Sequence, residues 1–337
     1  MPTTIAFFDT TAKEKSSFEH YFTGSKFKLL MFNEPIQLVP AYEYKEAQIV
    51  SVFTPSHLDS KLLSHLPKLK YIAARSTGVD NIDAKTCKKL GIAIGNVPGY
   101  GQTTVAEYAL LLMLMLARKM PAVQEAVKAG HIPYKKLTGF TLHGKTLGIL
   151  GTGKIGMSVA SIARSMGMHV IASDPYPNKE MAQKYSFSYV SLKDLFKGAD
   201  VITLHSPLTP DTKHIINEKT LKMMKDSAIL INSARGELVD TTALIEALKT
   251  KQIAGAALDV IEGERTLDLT TESELFLADN KISLEIAEID ILSKMQNVIL
   301  SPHNAYNSNE ALNFIRKTTA LNIQGFLAGK LQNKVEV

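Results

Sequence analysis

The chain has 337 residues, 45% hydrophobic and 21% charged, with a formal net charge of +5. That length exceeds one ordinary core and predicts two domains; the composition excludes a disordered chain, and the mild, scattered positive excess does not imply nucleic-acid binding. A single cysteine, Cys87, excludes an intramolecular disulfide and fits a reducing cytoplasm, and nine histidines without HxxxH or Cys-rich spacing give no reason to expect a metal site.

The first stretch, MPTTIAFFDT, carries no basic region before its short apolar run, so no signal peptide is expected. Strand-like runs then alternate with helix-like segments: TIAFF (4–8), KLLMF (28–32), IVSVF (49–53) and KYIAA (70–74). The greasiest segment, AEYALLLMLMLARK (106–119), is pinned between Glu107 and Arg118. Its uncharged middle is about half a membrane span, which predicts a buried helix with methionines as packing and no membrane insertion. A second series begins after Lys145, with TLGIL (146–150), HVIAS (169–173), DVITL (200–204), AILIN (228–232), IAGAAL (253–258) and NVILS (297–301). Residues 262–296 are acidic and mixed in pattern, predicting an excursion around the end of the second sheet with helix near 285–296. Residues 309–329 return to helical spacing. The alternation predicts an α/β fold of parallel sheets with crossover helices.

The second series opens with LGILGTGKIG (147–156). A strand runs into Gly151, Gly153 and Gly156, a helix follows, and Asp174 stands eighteen positions after the last glycine at the end of the next strand. Gly151 lets the chain turn, Gly153 lets backbone approach a pyrophosphate, and Gly156 permits close helix–strand packing. The helix N-terminus offers free N–H groups and a positive dipole end to phosphates. Asp174 can accept hydrogen bonds from a ribose 2′-hydroxyl, and SDPYP has no arginine for a 2′-phosphate, which favours NAD over NADP.

A bound nicotinamide requires a group that exchanges a proton with the substrate oxygen and a cation that holds the substrate. Three later stretches offer these, each at or just past a strand end: NSARGELVD (232–240), LDVIEGE (258–264) and SPHNAY (301–306). With GTGKIG, the aspartate strand and VITLHSPLTPDTKHIIN, in this order and spacing, the chain resembles the D-isomer-specific 2-hydroxyacid dehydrogenases, most of all the D-lactate dehydrogenase branch. The resemblance implies that Arg235 binds substrate, His303 is the acid/base and Glu264 is the carboxylate paired with it. The chemistry agrees: a guanidinium fork matches a carboxylate and carbonyl edge, and a nearby carboxylate favours a protonated imidazole.

The same resemblance implies coenzyme contacts at Lys154, Ile155, Ser206, Pro207, Thr212, Ser233, Ala234 and Asp259, the last near the nicotinamide ring. It implies that backbone N–H groups of Ser76, Thr77, Gly78 and Val79, in RSTGVDNID (75–83), hold the substrate carboxylate, with Tyr100 and Tyr306 approaching the substrate. It implies two Rossmann-like or flavodoxin-like domains: a discontinuous substrate domain, 1–101 and 304–337, and an NAD-binding domain, 102–303, inserted into it. The partners expected are a small 2-oxo or 2-hydroxy acid and a second copy of the chain in a homodimer, in the cytoplasm, with no nucleic acid and no membrane. One departure is Pro55, with Phe53 nearby, where related D-lactate enzymes carry a tyrosine. The substrate alternatives are therefore 2-oxoisocaproate, glyoxylate and hydroxypyruvate, and an NAD(H)-sensing transcriptional corepressor on the same fold is a reading from another class.

Overall fold

Most strands in the middle of both sheets are short runs of mainly apolar or small residues buried on both faces, as parallel strands covered by helices require. The computed structural model describes residues 2–263 and 280–336. The chain divides into two compact units, Met1–Tyr100 with Asn307–Val337, and Gly101–Tyr306.

The first unit holds β1 (Thr3–Phe7), α1 (Ala12–Tyr21), β2 (Phe27–Met31), β3 (Ile49–Val52), α2 (Ser60–Ser64), β4 (Tyr71–Ala74), α3 (Ala84–Leu90) and β5 (Ala93–Gly95). Its strands are parallel in the order β2-β1-β3-β4-β5, the flavodoxin-like order, with a switch point between β1 and β3. Helix α1 starts where it does because Thr11 and Glu14 form a capping box. The C-terminal helix, Asn309–Leu327, belongs to this unit, and Phe326 stacks on Tyr71 with ring centroids 4.5 Å apart. One face of the sheet packs Ile36, Val50, Val52, Leu63 and Ile72, the other Ile5, Phe7, Phe18 and Ile323. Each such side chain, fully buried, contributes about 1.5–3 kcal/mol.

The second unit contains α4 (Gly101–Ala117), α5 (Met120–Lys128), β6 (Thr146–Leu150), α6 (Lys154–Ser165), β7 (His169–Ser173), α7 (Lys179–Lys184), β8 (Ser188–Tyr189), α8 (Leu192–Gly198), β9 (Val201–Leu204), α9 (Glu218–Leu221), β10 (Ile229–Asn232), α10 (Thr241–Lys249), β11 (Gly255–Leu258), α11 (Asn280–Ser293) and β12 (Val298–Leu300). Its seven parallel strands run β12-β11-β10-β9-β6-β7-β8, the Rossmann order with one strand added. Ile202, Leu204, Leu230 and Leu244 fill one side of the sheet, and Met113, Leu147, Ile149 and Val159 fill the other.

The α/β class and both parallel sheets are as expected. Three details differ. The sequence reading lacks β5 and β8, whose three and two residues are too short for a periodic signal. Helix α11, described from Asn280, stops at Ser293, where Lys294 and Met295 turn the chain into β12. Helix α4 is buried only in part: Ala106, Ala109, Leu110 and Met113 face the core, while Leu111 and Leu114 are 47% and 42% exposed. No helix of the described residues is long and apolar enough to cross a membrane.

Candidate active site

In the second unit the switch point lies between β6 and β9, and the glycine turn sits there. Gly151 has φ +90°, and a Cβ on it would come within 2.8 Å of Ser206 N, so the turn is pressed against the chain that follows β9. Gly156 lies under the turn: a Cβ there would stand 2.1 Å from the Gly151 carbonyl oxygen. Gly153 precedes α6 with no side-chain cap and with open space on its Cα. The N–H groups of Lys154, Ile155 and Gly156 have no acceptor among the described residues, so three donors and the positive end of α6 face outward together.

Asp174, at the end of β7, accepts from Thr152 N at 2.6 Å and Thr152 Oγ1 at 2.9 Å on Oδ2, and from Tyr176 N at 2.8 Å on Oδ1. Ser233, just past β10, has a buried hydroxyl with no hydrogen-bond partner among the described residues. An open glycine, free helix donors, a strand-end carboxylate and an orphaned hydroxyl on one sheet edge fit a dinucleotide. Thr212 serves its own loop, donating to Pro207 O at 2.7 Å and accepting from Thr209 N at 2.8 Å, which shapes the turn after Ser206.

The reactive candidates follow β10, β11 and β12 on that same edge. After β10, fully buried Asn232 donates to Arg235 O at 2.8 Å and accepts from Ala234 N at 3.1 Å, closing the turn that holds the half-buried Arg235. Arg235 Nη1 donates to Ala234 O at 2.7 Å. The next residue, Gly236, is packed against Ile261, whose carbonyl carbon would lie 2.1 Å from an added Cβ, so the loops after β10 and β11 interlock. After β11, buried Asp259 accepts from Ser301 Oγ at 2.5 Å, Asn304 N at 2.8 Å and Ala305 N at 2.9 Å. Those bonds clasp the turn after β12, in which His303 adopts φ +47° and donates its N–H to Asp259 O at 2.8 Å. The His303 and Tyr306 rings meet edge to face with centroids 6.3 Å apart. Strand β11 alone separates β10 from β12, so the two loops leave the sheet about 10 Å apart, two strand spacings.

Glu264 lies outside the described residues; Glu262, two positions earlier, pairs with His214 at 2.7 Å. His205, at the end of β9, meets Thr203 Oγ1 at 2.9 Å, and burial of its imidazole pushes its pKa down to about 4, so it is neutral near pH 7.

Ser76, Thr77, Gly78, Val79 and Tyr100 are in the first unit. Ser76 Oγ donates to Gly78 O at 2.6 Å and Thr77 Oγ1 to Val97 O at 2.9 Å, so both hydroxyls are taken up in closing their loop. The N–H groups of Thr77, Gly78 and Val79 find no acceptor among the described residues, an arrangement that suits an anion. Beneath the loop, fully buried Arg75 donates to Phe8 O at 2.6 Å, Asp9 O at 3.0 Å and Ser51 Oγ at 3.3 Å. Sequence reasoning missed Arg75, Thr152, Tyr189, His205 and Asn232. Of these only Asn232, two residues before Ala234 in NSARG, carries a local signal, that of an Asx turn.

Residues 110–305 match the family model described as D-isomer specific 2-hydroxyacid dehydrogenase, NAD binding domain. The chain is 34% identical over 331 residues to the D-lactate dehydrogenase of Escherichia coli, covering 97% of each. It is 39% identical over 271 residues to an aromatic 2-oxoacid reductase of Clostridium sporogenes, covering 79% of this chain and 78% of that one. The crystal structure of D-lactate dehydrogenase from Aquifex aeolicus complexed with NAD and lactic acid superposes with a TM-score of 0.87 at 34% identity, covering 97% of this chain and 96% of that one.

Proposed function

This chain belongs to the D-isomer specific 2-hydroxyacid dehydrogenases, NAD-dependent oxidoreductases acting on a CH–OH group, and from that premise we propose that it interconverts pyruvate and D-lactate. The observation that carries the reading is the common sheet edge of Arg235 and His303, one strand apart, with the turn of His303 clasped by Asp259. When bound, the nicotinamide supplies the hydride and the protein supplies position and protons. In our reading Arg235 holds the 2-oxo acid through its carboxylate and carbonyl edge. Protonated His303 gives its proton to the carbonyl oxygen as the carbon is reduced, leaving the 2-hydroxy acid and a neutral imidazole; oxidation reverses the transfer. Glu264 favours the protonated imidazole, and the N–H groups of Thr77, Gly78 and Val79 receive the substrate carboxylate. The first unit is thus the substrate domain and the second the coenzyme domain.

Gly151, Gly153, Lys154, Ile155 and Gly156 would hold the pyrophosphate, Asp174 the ribose, and Ser206, Pro207, Thr212, Ser233, Ala234 and Asp259 the rest of the coenzyme, with Tyr100 and Tyr306 at the substrate. A homodimer is supported by exposed Leu111 and Leu114 on α4, which line a mainly apolar groove with Met115, Met120, Val123 and the charged Arg118. A cytoplasmic location is supported by Cys87, one buried thiol whose pKa burial pushes up to about 11.

A second reading keeps the chemistry and enlarges the substrate to an aromatic or branched 2-oxo acid. Pro55 and Phe53 in place of a pocket tyrosine favour it, as does the likeness to the aromatic 2-oxoacid reductase. Steady-state rates over pyruvate, 2-oxoisocaproate, phenylpyruvate, glyoxylate and hydroxypyruvate with NADH, scored for product handedness, decide between them. The lactate reading expects the highest kcat/KM with pyruvate and a D product. An L product, or no turnover with any of the five, would overturn the proposed mechanism.

A further inference from the structure

We propose that Tyr189 and Thr152 are positioning residues that fix Asp174 for the coenzyme ribose and thereby set the preference for NADH over NADPH; this rests on the reading of Asp174 as the ribose acceptor. Tyr189 lies on β8, where it pairs in register with Ala172, two residues before Asp174. Its hydroxyl is 2.8 Å from Thr152 Oγ1, which lies 2.9 Å from Asp174 Oδ2, and Asn178 N is 3.0 Å from the Tyr189 hydroxyl.

The direction of every bond in this chain follows from its ends. A backbone N–H can only donate and a carboxylate can only accept, and each hydroxyl between them has one proton. Asn178 N–H therefore donates to Tyr189, Tyr189 donates to Thr152, and Thr152 donates to Asp174. No rotor is left undecided. Phe187 meets the Tyr189 ring edge to face at 5.2 Å and holds it in plane for the relay.

Asp174 accepts two bonds on Oδ2, from Thr152 N and Oγ1, and one on Oδ1, from Tyr176 N. A carboxylate has about four lone-pair positions, so one remains, on Oδ1. A ribose hydroxyl can donate to that position, whereas a 2′-phosphate brings charge of the same sign to a carboxylate that is not free to turn away. Fixing the carboxylate makes it a better acceptor for a hydroxyl and a stronger obstacle to a phosphate.

The test is fluorescence titration of NADH and of NADPH into the whole protein, giving a dissociation constant for each, alongside melting midpoints. Tyr189→Phe removes only the hydroxyl, and Thr152→Val breaks the relay at its middle. Both are expected to weaken NADH binding by about three- to tenfold, the worth of one hydrogen bond, while NADPH is affected less, so the ratio of the two constants narrows. Thr152→Ser keeps the hydroxyl and is expected to keep the parent ratio. A merely structural tyrosine would lower the melting midpoint and move both constants by the same factor. That result, or no change in either constant, overturns the proposal. Asp174→Ala separates the two levels. If it leaves the ratio unchanged, the ribose reading falls and takes the relay with it. If it narrows the ratio while Tyr189→Phe does not, the relay alone is wrong.

Discussion

At the carboxyl edge of the seven-stranded sheet the most deeply buried charged side chain among the described residues is Asp259, whereas at the same edge of the five-stranded sheet it is Arg75, beside the partly buried Asp9. The sign of the charge decides which backbone groups it takes up. Asp259 accepts the N–H groups of Asn304 and Ala305 with the hydroxyl of Ser301, so it orders the turn of His303 through its backbone. Arg75 donates to the carbonyls of Phe8 and Asp9 and to Ser51, tying together the ends of β1, β3 and β4. In the loop it opens, the N–H groups of Thr77, Gly78 and Val79 have no acceptor among the described residues. One edge fixes the turn that carries the proposed acid/base; the other fixes strand ends beneath the loop proposed to bind the substrate carboxylate.

The largest expected effect tests the first half of this contrast. His303→Gln keeps a polar side chain and the clasp from Asp259 but loses the titrating group. Turnover of the 2-oxo acid is expected to fall about 10²–10⁴-fold, with NADH affinity and melting midpoint near those of the parent. Wild-type turnover would remove His303 from the mechanism, and a collapsed melting midpoint would make it a structural residue. Arg75→Met tests the other half. It leaves the carbonyls of Phe8 and Asp9 without their donor and Glu14, 3.6 Å from Arg75 Nε, without its cation. Denaturant unfolding is expected to lose about 3–5 kcal/mol, and the KM for the 2-oxo acid is expected to rise more than kcat falls. Unchanged stability would mean that Arg75 does not fix its edge.

The contrast also explains what could be read from the sequence. The central strands were legible because burial on both faces leaves runs such as VITL and ILIN. The glycine turn was legible because its needs are local: a φ of +90° at Gly151 and no room for a Cβ at Gly156. Arg235 and His303 could be named because they stand in NSARGELVD and SPHNAY. Arg75 could not be assigned its task, because its partners Phe8 and Ser51 are 67 and 24 residues away. The Tyr189 relay spans 37 residues back to Thr152 and hangs on an edge strand of two residues. Side chains that act by what they touch across the fold leave no period or spacing behind.

The partly buried histidine at the end of β9 gives a smaller, pH-dependent test. His205 has its pKa lowered from 6.5 to about 4 by burial. A base depressed in the folded state contributes stability that is fully present above pH 6.5 and is lost as pH falls towards 4, because the unfolded chain takes up the proton first. At about 1.4 kcal/mol per pH unit the loss is about 3 kcal/mol. Unfolding curves at pH 7 and pH 4.5 should therefore converge for the parent and His205→Gln at the acid end. Parallel curves would mean that the fold does not hold His205 in its neutral form.

The smallest effect has the opposite sign and comes from the five-stranded sheet. Tyr71 lies fully buried in β4 with its hydroxyl unpartnered among the described residues, and burial raises its pKa. A hydroxyl stripped of water without a replacement costs stability, whereas its ring, stacked on Phe326, contributes. Tyr71→Phe keeps the ring and removes the orphan, so unfolding free energy is expected to rise by about 1 kcal/mol with kinetics unchanged. A loss of similar size would show that the hydroxyl has a donor or acceptor in solution, such as an ordered water. The five-stranded sheet would then be held by polar contacts well away from its Arg75 edge, and the contrast between the two edges would be narrower than drawn.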